Sequence, residues 1–239
     1  MPLTLTLLTL LVALADWIAV SRRAMDPTSV GARHAEYVAK PLTMVFLIGA
    51  ALAIADAHAR SGIPGPHRAT AYLTIAAVAA LVLSAIGDVF LMLPEDSSAA
   101  DRNFVIGLGA FLLAHVAYIA AFVRLHAHGG YAISFVVTGL VLAGAMFATV
   151  GLRIRRAAGE EDPALAVPVL AYVSVISVLV VAAWWTGDLR IIPGALLFAV
   201  SDTMIGWTRF VRKDWELDVP IIVTYHLAQI LLVLGLVRR

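Results

Sequence analysis

Two aspartates stand inside long apolar segments of this chain. Asp88 follows Gly87 in the segment 70–93, and Asp202 follows Ser201 in the segment 191–211. A charged side chain at the centre of a bilayer costs about 2.5–3.5 kcal/mol on insertion scales. A structural role would leave each Asp protonated or hydrogen-bonded to a neighbouring helix. Because both residues fall at a similar predicted depth, the sequence favours a functional site over two unrelated structural contacts.

Histidine and tyrosine residues follow each aspartate in the next apolar segment. His115 and Tyr118 are three residues apart and share one helix face, as do Tyr225 and Gln229, which are four apart. His226 is adjacent to Tyr225 and points about 100° away from it. Carboxyl, imidazole and phenol groups at one depth can transfer protons. We therefore predict an acid–base site within one layer of the membrane.

Lys40 begins the predicted second helix, directly before Pro41. Alone, it would be interpreted as an interfacial lysine whose ammonium reaches the membrane surface, with the proline starting the helix. Its predicted depth matches that of the two aspartates, so it is also a candidate for the site. Asp16, beside Trp17, is interpreted as an interfacial residue.

The composition indicates that lipid is the solvent. Hydrophobic residues make up 62% of the chain and charged residues 14%, with a mean hydropathy of +0.93. In typical soluble domains, about 45–50% of the residues are apolar and about 25% are charged. A spanning helix needs about 20 mostly apolar residues. The first run lacks a basic flank and a cleavage site, so it is expected to be a retained helix. The predicted fold is an all-α polytopic membrane protein with one domain over 1–239 and about eight helices at 3–20, 41–58, 70–93, 103–123, 131–150, 164–185, 191–211 and 217–237.

Lys and Arg residues are unevenly divided between the two sides of the predicted helices. Loops one, three, five and seven hold 11 of the 17, and the other side holds six. This bias predicts that both termini lie outside the cytoplasm of a bacterial inner membrane. It also places the aspartates, histidines and tyrosines in one half of the membrane, and that shared depth does not depend on the absolute orientation.

A short similarity relates the two halves of the chain. Gly87-Asp88 and Ser201-Asp202 are each followed, one helix later, by a histidine and a tyrosine. The similarity points to two parallel four-helix halves, on few matching positions.

Several classes of function find no support in the sequence. The net charge of +1 provides no electrostatic basis for nucleic-acid binding, and the absence of cysteine excludes disulfides and thiol catalysis. No Walker loop, GxSxG elbow or HExxH spacing is present. We therefore predict neither a metal nor a cofactor.

Short motifs stand in a characteristic order along the chain. They are Lys40-Pro41-Leu42-Thr43, Gly87-Asp88 with Phe90-Leu91, Asn103-Phe104, Gly107-Leu108, Phe111 with His115 and Tyr118, Gly194-Ala195-Leu196-Leu197-Phe198 with Ser201-Asp202, and Tyr225-His226-Leu227-Ala228-Gln229. In this order and spacing the chain resembles the YhhN family of membrane proteins, which includes the lysoplasmalogenases. The resemblance fits eight helices and covers essentially the whole chain, although the segment 125–190 carries no matching motif.

The resemblance implies hydrolysis of the vinyl-ether bond of a lysoplasmalogen, a membrane lysophospholipid, to a fatty aldehyde and glycerophosphoethanolamine or glycerophosphocholine. Such a bond is activated when an acid protonates its β-carbon, and a second carboxylate then stabilises the cation or activates water. Burial favours the protonated form of one carboxyl, while a nearby lysine or histidine keeps the other ionised. The predicted catalytic residues are Asp88, Asp202, His226 and His115, and the predicted substrate-binding residues are Lys40, Tyr118, Tyr225, Asn103 and Gln229.

Three alternatives remain open at this point. A proton-coupled transporter of lipids or small molecules uses the same intramembrane acids and histidines. An intramembrane aspartyl protease would use Gly87-Asp88, but its partner Tyr-Asp motif is missing because Asp202 follows Ser201. A purely structural membrane protein would leave the buried acids without a role.

Overall fold

The structure is a computed structural model that describes residues 2–61, 67–93, 100–126, 133–212 and 214–237. No strand occurs among these residues. Their α-helices are α1 (Pro2–Met25), α2 (Val30–Arg60), α3 (His67–Leu91), α4 (Ala100–His126), α5 (Ile133–Met146), α6 (Leu152–Glu161), α7 (Ala166–Thr186), α8 (Ile191–Phe210) and α9 (Asp218–Val237).

Within the described ranges, eight helical spans are long and apolar enough to cross a membrane. Six of them lie within single α-helices. One joins α5 and α6 into the span Ile133–Glu161, and one joins the 3₁₀ turn Pro163–Leu165 to α7 as the span Pro163–Thr186. The prediction of an all-α polytopic membrane protein with about eight spanning helices is confirmed, and the chain is an integral membrane protein.

Helix α2 begins earlier than the sequence predicted. It starts at Val30, and the hydroxyl of Ser29 accepts a hydrogen bond from the Ala32 N–H at 3.4 Å. Pro41 therefore lies inside the helix, so its assignment as a helix-starting residue was wrong. Proline is tolerated within spanning helices because neighbouring groups can satisfy the backbone it leaves unbonded. As a result, Lys40 projects from the middle of a helix and not from its first turn.

The turn between α1 and α2 is stabilised by Asp26. Its carboxylate accepts hydrogen bonds from the Thr28 hydroxyl at 2.6 Å and from the Thr28 N–H at 3.0 Å. These hydrogen bonds lower the pKa of Asp26 below its usual value, because they favour the ionised carboxylate. The short turn returns α2 directly against α1.

The fifth span continues past its predicted end. A single π-helical segment, Phe147–Gly151, connects α5 to α6, and the helix ends at Glu161. Ile154 and Ala158, four residues apart on α6, are buried in an apolar cluster with Leu165, Val169 and Val173. This packing extends the helix, and the arginines assigned to loop five are helical: Arg153, Arg155 and Arg156.

The chain divides into two compact units. The first comprises Met1–Ala117 with Val233–Arg239, and the second comprises Tyr118–Leu232. The boundary falls within α4, near the point that separates the predicted four-helix halves. The parallel repeat and the single domain stay predictions.

Two glycines bring α3 and α4 close together in the first unit. A Cβ atom on Gly87 would lie 2.5 Å from Cδ2 of Phe111, and one on Gly107 would lie 2.9 Å from Cδ2 of Leu91. A side chain at either position would require the neighbouring Phe111 or Leu91 side chain to move. Asp88, the neighbour of Gly87, is thereby held in the part of α3 that packs closely on α4.

In the second unit, α5 packs on α7 at Gly139. A Cβ atom there would lie 2.7 Å from Cβ of Trp184, whereas Gly144, on the same helix, has open space around it. We expect Gly139→Ala to lower the free energy of unfolding by about 1–3 kcal/mol through overpacking. Gly144→Ala should be neutral or stabilising, because alanine favours the helix. The thermal unfolding midpoint (Tm) in detergent measures both, and equal midpoints for the two variants would contradict the close contact.

Candidate active site

A group of charged side chains, three of them buried and two partly buried, gathers in the first unit. We call it the first-unit charge cluster; its members are Asp16, Arg23, Glu36, Lys40 and Asp88. Glu36 lies between two cations: its Oε2 is 2.8 Å from Nε of Arg23, and its Oε1 is 3.2 Å from Nζ of Lys40. Because each carboxylate oxygen faces a different cation, Glu36 joins α1 to the middle of α2.

The two aspartates of this cluster interact with the same lysine. Asp16 is 0% exposed and Asp88 is 6% exposed. The ammonium group of Lys40 interacts electrostatically with both carboxyl groups, and the two carboxyl groups interact with each other. Lys40 therefore interacts with carboxyl groups contributed by α1, α2 and α3, and it is in direct contact with that of Glu36.

Helix periodicity explains why Asp16 is buried. The buried residues of α1 include Thr9, Ala13, Asp16 and Val20, which are spaced three or four residues apart and so lie along one face of the helix. Asp16, which we interpreted as an interfacial residue, is covered by protein, whereas its neighbour Trp17 is partly buried and belongs to another face. Local sequence does not distinguish these faces when almost every residue is apolar.

His115 is also fully buried in the first unit. Its Nδ1 lies 2.6 Å from the carbonyl oxygen of Phe111, one turn earlier on α4. A neutral imidazole donates its Nδ1–H to that carbonyl and presents Nε2 as its basic nitrogen. Asn103, on the same helix, is partly buried.

In the second unit, Asp202 accepts a hydrogen bond from a tyrosine. The Tyr172 hydroxyl donates to Oδ2 of Asp202 at 2.7 Å, and both side chains are buried. The neighbouring Ser201 donates its hydroxyl to the Ile221 carbonyl at 3.1 Å. Thus Tyr172 of α7 contacts the carboxyl group of Asp202, and Ser201, the residue before Asp202, bonds α8 to α9.

A second hydrogen bond joins two predicted binding residues of this unit. The Tyr118 hydroxyl donates to Oε1 of Gln229 at 2.5 Å, and both side chains are fully buried. The ring of Phe198 packs edge-on against the rings of Tyr118 and Tyr225, with centroids 6.3 and 5.7 Å apart. His226 is fully buried, with its ring centroid 5.5 Å from that of Tyr225. These five side chains, Tyr118, Phe198, Tyr225, His226 and Gln229, combine apolar rings with a few polar groups, as the residues of ligand-binding sites do.

The two aspartates have different surroundings, and this difference defines the available chemistry. Asp88 lies near an ammonium group and another carboxyl group, whereas Asp202 is held by a phenol. Carboxyl groups in unlike environments can divide the roles of acid and base. Among the described residues there is no group of three or more His, Asp or Glu arranged to hold a metal ion.

Comparison with known proteins decides the family. The YhhN family matches residues 35–236, which is most of the chain. The chain belongs to the YhhN family.

Relatives of the chain bear one functional name. A Mycobacterium bovis protein named lysoplasmalogenase is 35% identical over 165 residues, covering 66% of this chain and 59% of that protein. The human protein named lysoplasmalogenase TMEM86B is 32% identical over 162 residues, covering 66% of this chain and 62% of that protein. The match thus spans about 60% of the length of these relatives, and no solved structure matches the chain.

Among the helices of the described ranges, the YhhN match begins within α2 and ends within α9. Helix α1 lies outside the matched residues, so Asp16 and Arg23 are contributed by a segment beyond the match. Glu36, Lys40 and Asp88 lie within it.

The structure places every predicted site residue of this YhhN protein within a described helix. The first unit contains Asp88, His115, Lys40 and Asn103, and the second contains Asp202, His226, Tyr118, Tyr225 and Gln229. Within the units it brings Lys40 near Asp88, Tyr118 onto Gln229, and Tyr225 beside His226. The joint action of the two aspartates stays a prediction.

Two buried residues of these clusters, Glu36 and Tyr172, were missed by the sequence analysis, and a third, Asp16, was not assigned to the site. Glu36 stands four residues before Lys40, a spacing that identifies a potential ion pair on a helix. Asp16 was noted but assigned to the interface. Tyr172 lies in the apolar run of α7, which carries no matching motif, so no local signal singled it out.

Proposed function

We propose that this chain is a lysoplasmalogenase-like hydrolase that cleaves the vinyl-ether bond of a lysoplasmalogen in the membrane. The observation that supports this most directly is the presence of two buried carboxyl groups with unlike partners, Asp88 near Lys40 and Asp202 bonded to Tyr172. Membership of the YhhN family and the name shared by its relatives support the choice of reaction.

The reaction proposed for this site begins with proton transfer to carbon. One of the two aspartates, as the acid, donates a proton to the β-carbon of the vinyl ether, and the π electrons form the new C–H bond. The resulting oxocarbenium ion is stabilised by the second carboxylate, which also takes a proton from the attacking water. A hemiacetal forms, and the first aspartate, now ionised, takes the proton of its new hydroxyl group as the C=O bond forms. The second aspartate gives the proton it took from water to the glycerol oxygen as the C–O bond breaks, so an aldehyde and a glycerophosphodiester leave and both carboxyl groups return to their starting states.

The remaining residues are proposed to bind and orient the substrate. His115 and His226 position water or the glycerol hydroxyl group, together with Tyr118, Tyr225 and Gln229. The ammonium group of Lys40 has three N–H donors. One N–H donates to Glu36, and we propose that a second donates to the phosphate group of the substrate. The alkenyl chain lies among apolar side chains and enters sideways from the lipid. The proposed location is the inner membrane of a bacterium.

The direct test is the release of fatty aldehyde from lysoplasmenyl-ethanolamine by the purified protein in detergent. A hydrolase forms product there, whereas a proton-coupled transporter has no gradient to use. The matched control is the saturated alkyl-ether lysolipid, which has no double bond to protonate and should remain intact. Absence of aldehyde from folded protein would contradict the proposal.

The same assay in deuterium oxide tests the first chemical step. A carboxyl group held at one side of the double bond should deliver one deuterium to one face of aldehyde carbon 2. An enol that is released and then rearranges in solution would acquire deuterium on both faces. A racemic label at this carbon would therefore argue against acid catalysis by a positioned carboxyl group.

A further inference from the structure

We propose that Tyr172 is a positioning residue that fixes the orientation of the Asp202 carboxyl group and directs its transferable proton to Oδ1. The inference deepens the proposed function and rests on it for the identity of the reaction. The supporting contact is the 2.7 Å hydrogen bond from the Tyr172 hydroxyl to Oδ2 of Asp202.

The first step of the argument concerns the torsion of an aspartate. The terminal torsion of Asp joins an sp³ to an sp² carbon and has a broad energy profile, so the carboxyl plane is not set by the rotamer alone. Proton transfer to a carbon atom requires one carboxyl oxygen to face that carbon closely. A donor that engages one oxygen fixes the plane and selects the other for transfer.

The second step concerns the chemistry of the donor. A phenol hydroxyl can donate to Oδ2 whether Asp202 is ionised or carries its proton on Oδ1, because Oδ2 accepts in both forms. Tyr172 can thus hold the group throughout a cycle in which Asp202 gives and regains a proton. The inference is therefore independent of which aspartate is the acid.

The third step concerns the rigidity of the support. Val173, next to Tyr172, belongs to the buried cluster that joins α7 to α6, and a Cβ atom on Gly151 would lie 2.3 Å from its Cγ1. On the Asp202 side of the hydrogen bond, the adjacent residue Ser201 donates its hydroxyl to the Ile221 carbonyl and so bonds α8 to α9. Both partners of the hydrogen bond therefore project from packed backbone, as a positioned site requires.

The test begins with Tyr172→Phe, which removes one hydroxyl group and keeps the ring. We expect kcat for aldehyde release to fall about 10- to 100-fold, with KM changed less than about threefold, since substrate binding does not use this hydroxyl. The matched control is Ser174→Ala on the same helix, whose hydroxyl bonds only to the Leu170 carbonyl among the hydrogen bonds described. An unchanged kcat in Tyr172→Phe, or an equal loss in Ser174→Ala, would overturn the proposal.

A rescue experiment separates positioning from simple helix packing. Tyr172→Ala leaves a ring-sized space, and small aromatic molecules bind such buried cavities. Added p-cresol should restore part of kcat, whereas toluene, which has the same ring without the hydroxyl, should not. Equal rescue by both compounds would show that the ring and not the hydroxyl matters, and would contradict the inference.

A spectroscopic readout tests the hydrogen bond without any activity. In infrared difference spectra, Tyr172→Phe should shift the carboxyl bands of Asp202, and the shift should be absent when the same change is made in Asp202→Asn. If wild-type protein releases no aldehyde but the shift is found, the proposed reaction fails and the Tyr172–Asp202 contact stands. If the shift is missing, the positioning role fails whatever the reaction.

Discussion

Asp202→Asn should lower kcat for aldehyde release by about 10³-fold while the protein still inserts and folds. The expected loss follows from the contribution of general acid–base catalysis, typically about 10²–10⁴-fold. Asparagine has nearly the same shape but neither donates nor accepts the proton that the reaction transfers. Its amide oxygen can still accept the Tyr172 hydrogen bond, so the local packing is retained. Steady-state kinetics in detergent, with Tm as the measure of folding, provide the test.

Asp88→Asn should cause a loss of the same order if both carboxyl groups serve one reaction. The double variant should then be little worse than the poorer single variant, because residues that act as a unit are not additive. Asp56→Asn on α2 is the control, since this aspartate is largely exposed and pairs with Arg60. Full activity in both single variants would exclude the two-carboxylate mechanism, and fully multiplicative losses would show that the carboxyl groups act independently.

Glu36→Gln should destabilise the protein by about 3 kcal/mol. Glu36 is buried and forms ion pairs with Arg23 and Lys40. Removing one partner of a buried ion pair leaves the other charge poorly compensated, and two cations share this carboxylate. We expect the thermal midpoint in detergent, followed by tryptophan fluorescence, to fall by several degrees.

The chain offers a matched control on the same helix. Asp56 and Arg60 form an ion pair with the same four-residue spacing, but their side chains are 52% and 74% exposed. Asp56→Asn should change the free energy of unfolding by less than about 0.5 kcal/mol, as is usual for exposed pairs on a helix. Equal midpoints for Glu36→Gln and the wild type would show that the cluster does not stabilise the first unit.

Helix count and the two intramembrane aspartates could be predicted because each depends on a local property. A run of about 20 apolar residues identifies a span, and an acid within it has few harmless explanations. The structure buries both Asp88 and Asp202 within α3 and α8. The boundaries of α2 were less predictable, because Ser29 starts the helix and Pro41 does not interrupt it.

The partners of the aspartates could not be predicted in the same way. Tyr172 reaches Asp202 across 30 residues of sequence, and nothing in the apolar run around it marks which face points inward. The burial of Asp16 could not be predicted for the same reason. In a helix surrounded by lipid, both the outer and the inner face are apolar, so the hydrophobic pattern does not identify the inner face. Glu36 was the exception: its spacing from Lys40 is a local signal that could have been used.

The burial of Asp16 has a consequence for how the chain enters the membrane during synthesis. During translation, α1 leaves the ribosome before α2, and alone it would carry a charged aspartate into lipid at a cost of about 2.5–3.5 kcal/mol. Lys40, a cation that interacts electrostatically with Asp16, lies on α2, and only four residues separate the end of α1 from the start of α2. We therefore expect the two helices to insert together as a hairpin. A glycosylation-site or crosslinking reporter should then show poor membrane integration of α1 until the chain has been synthesised as far as Lys40.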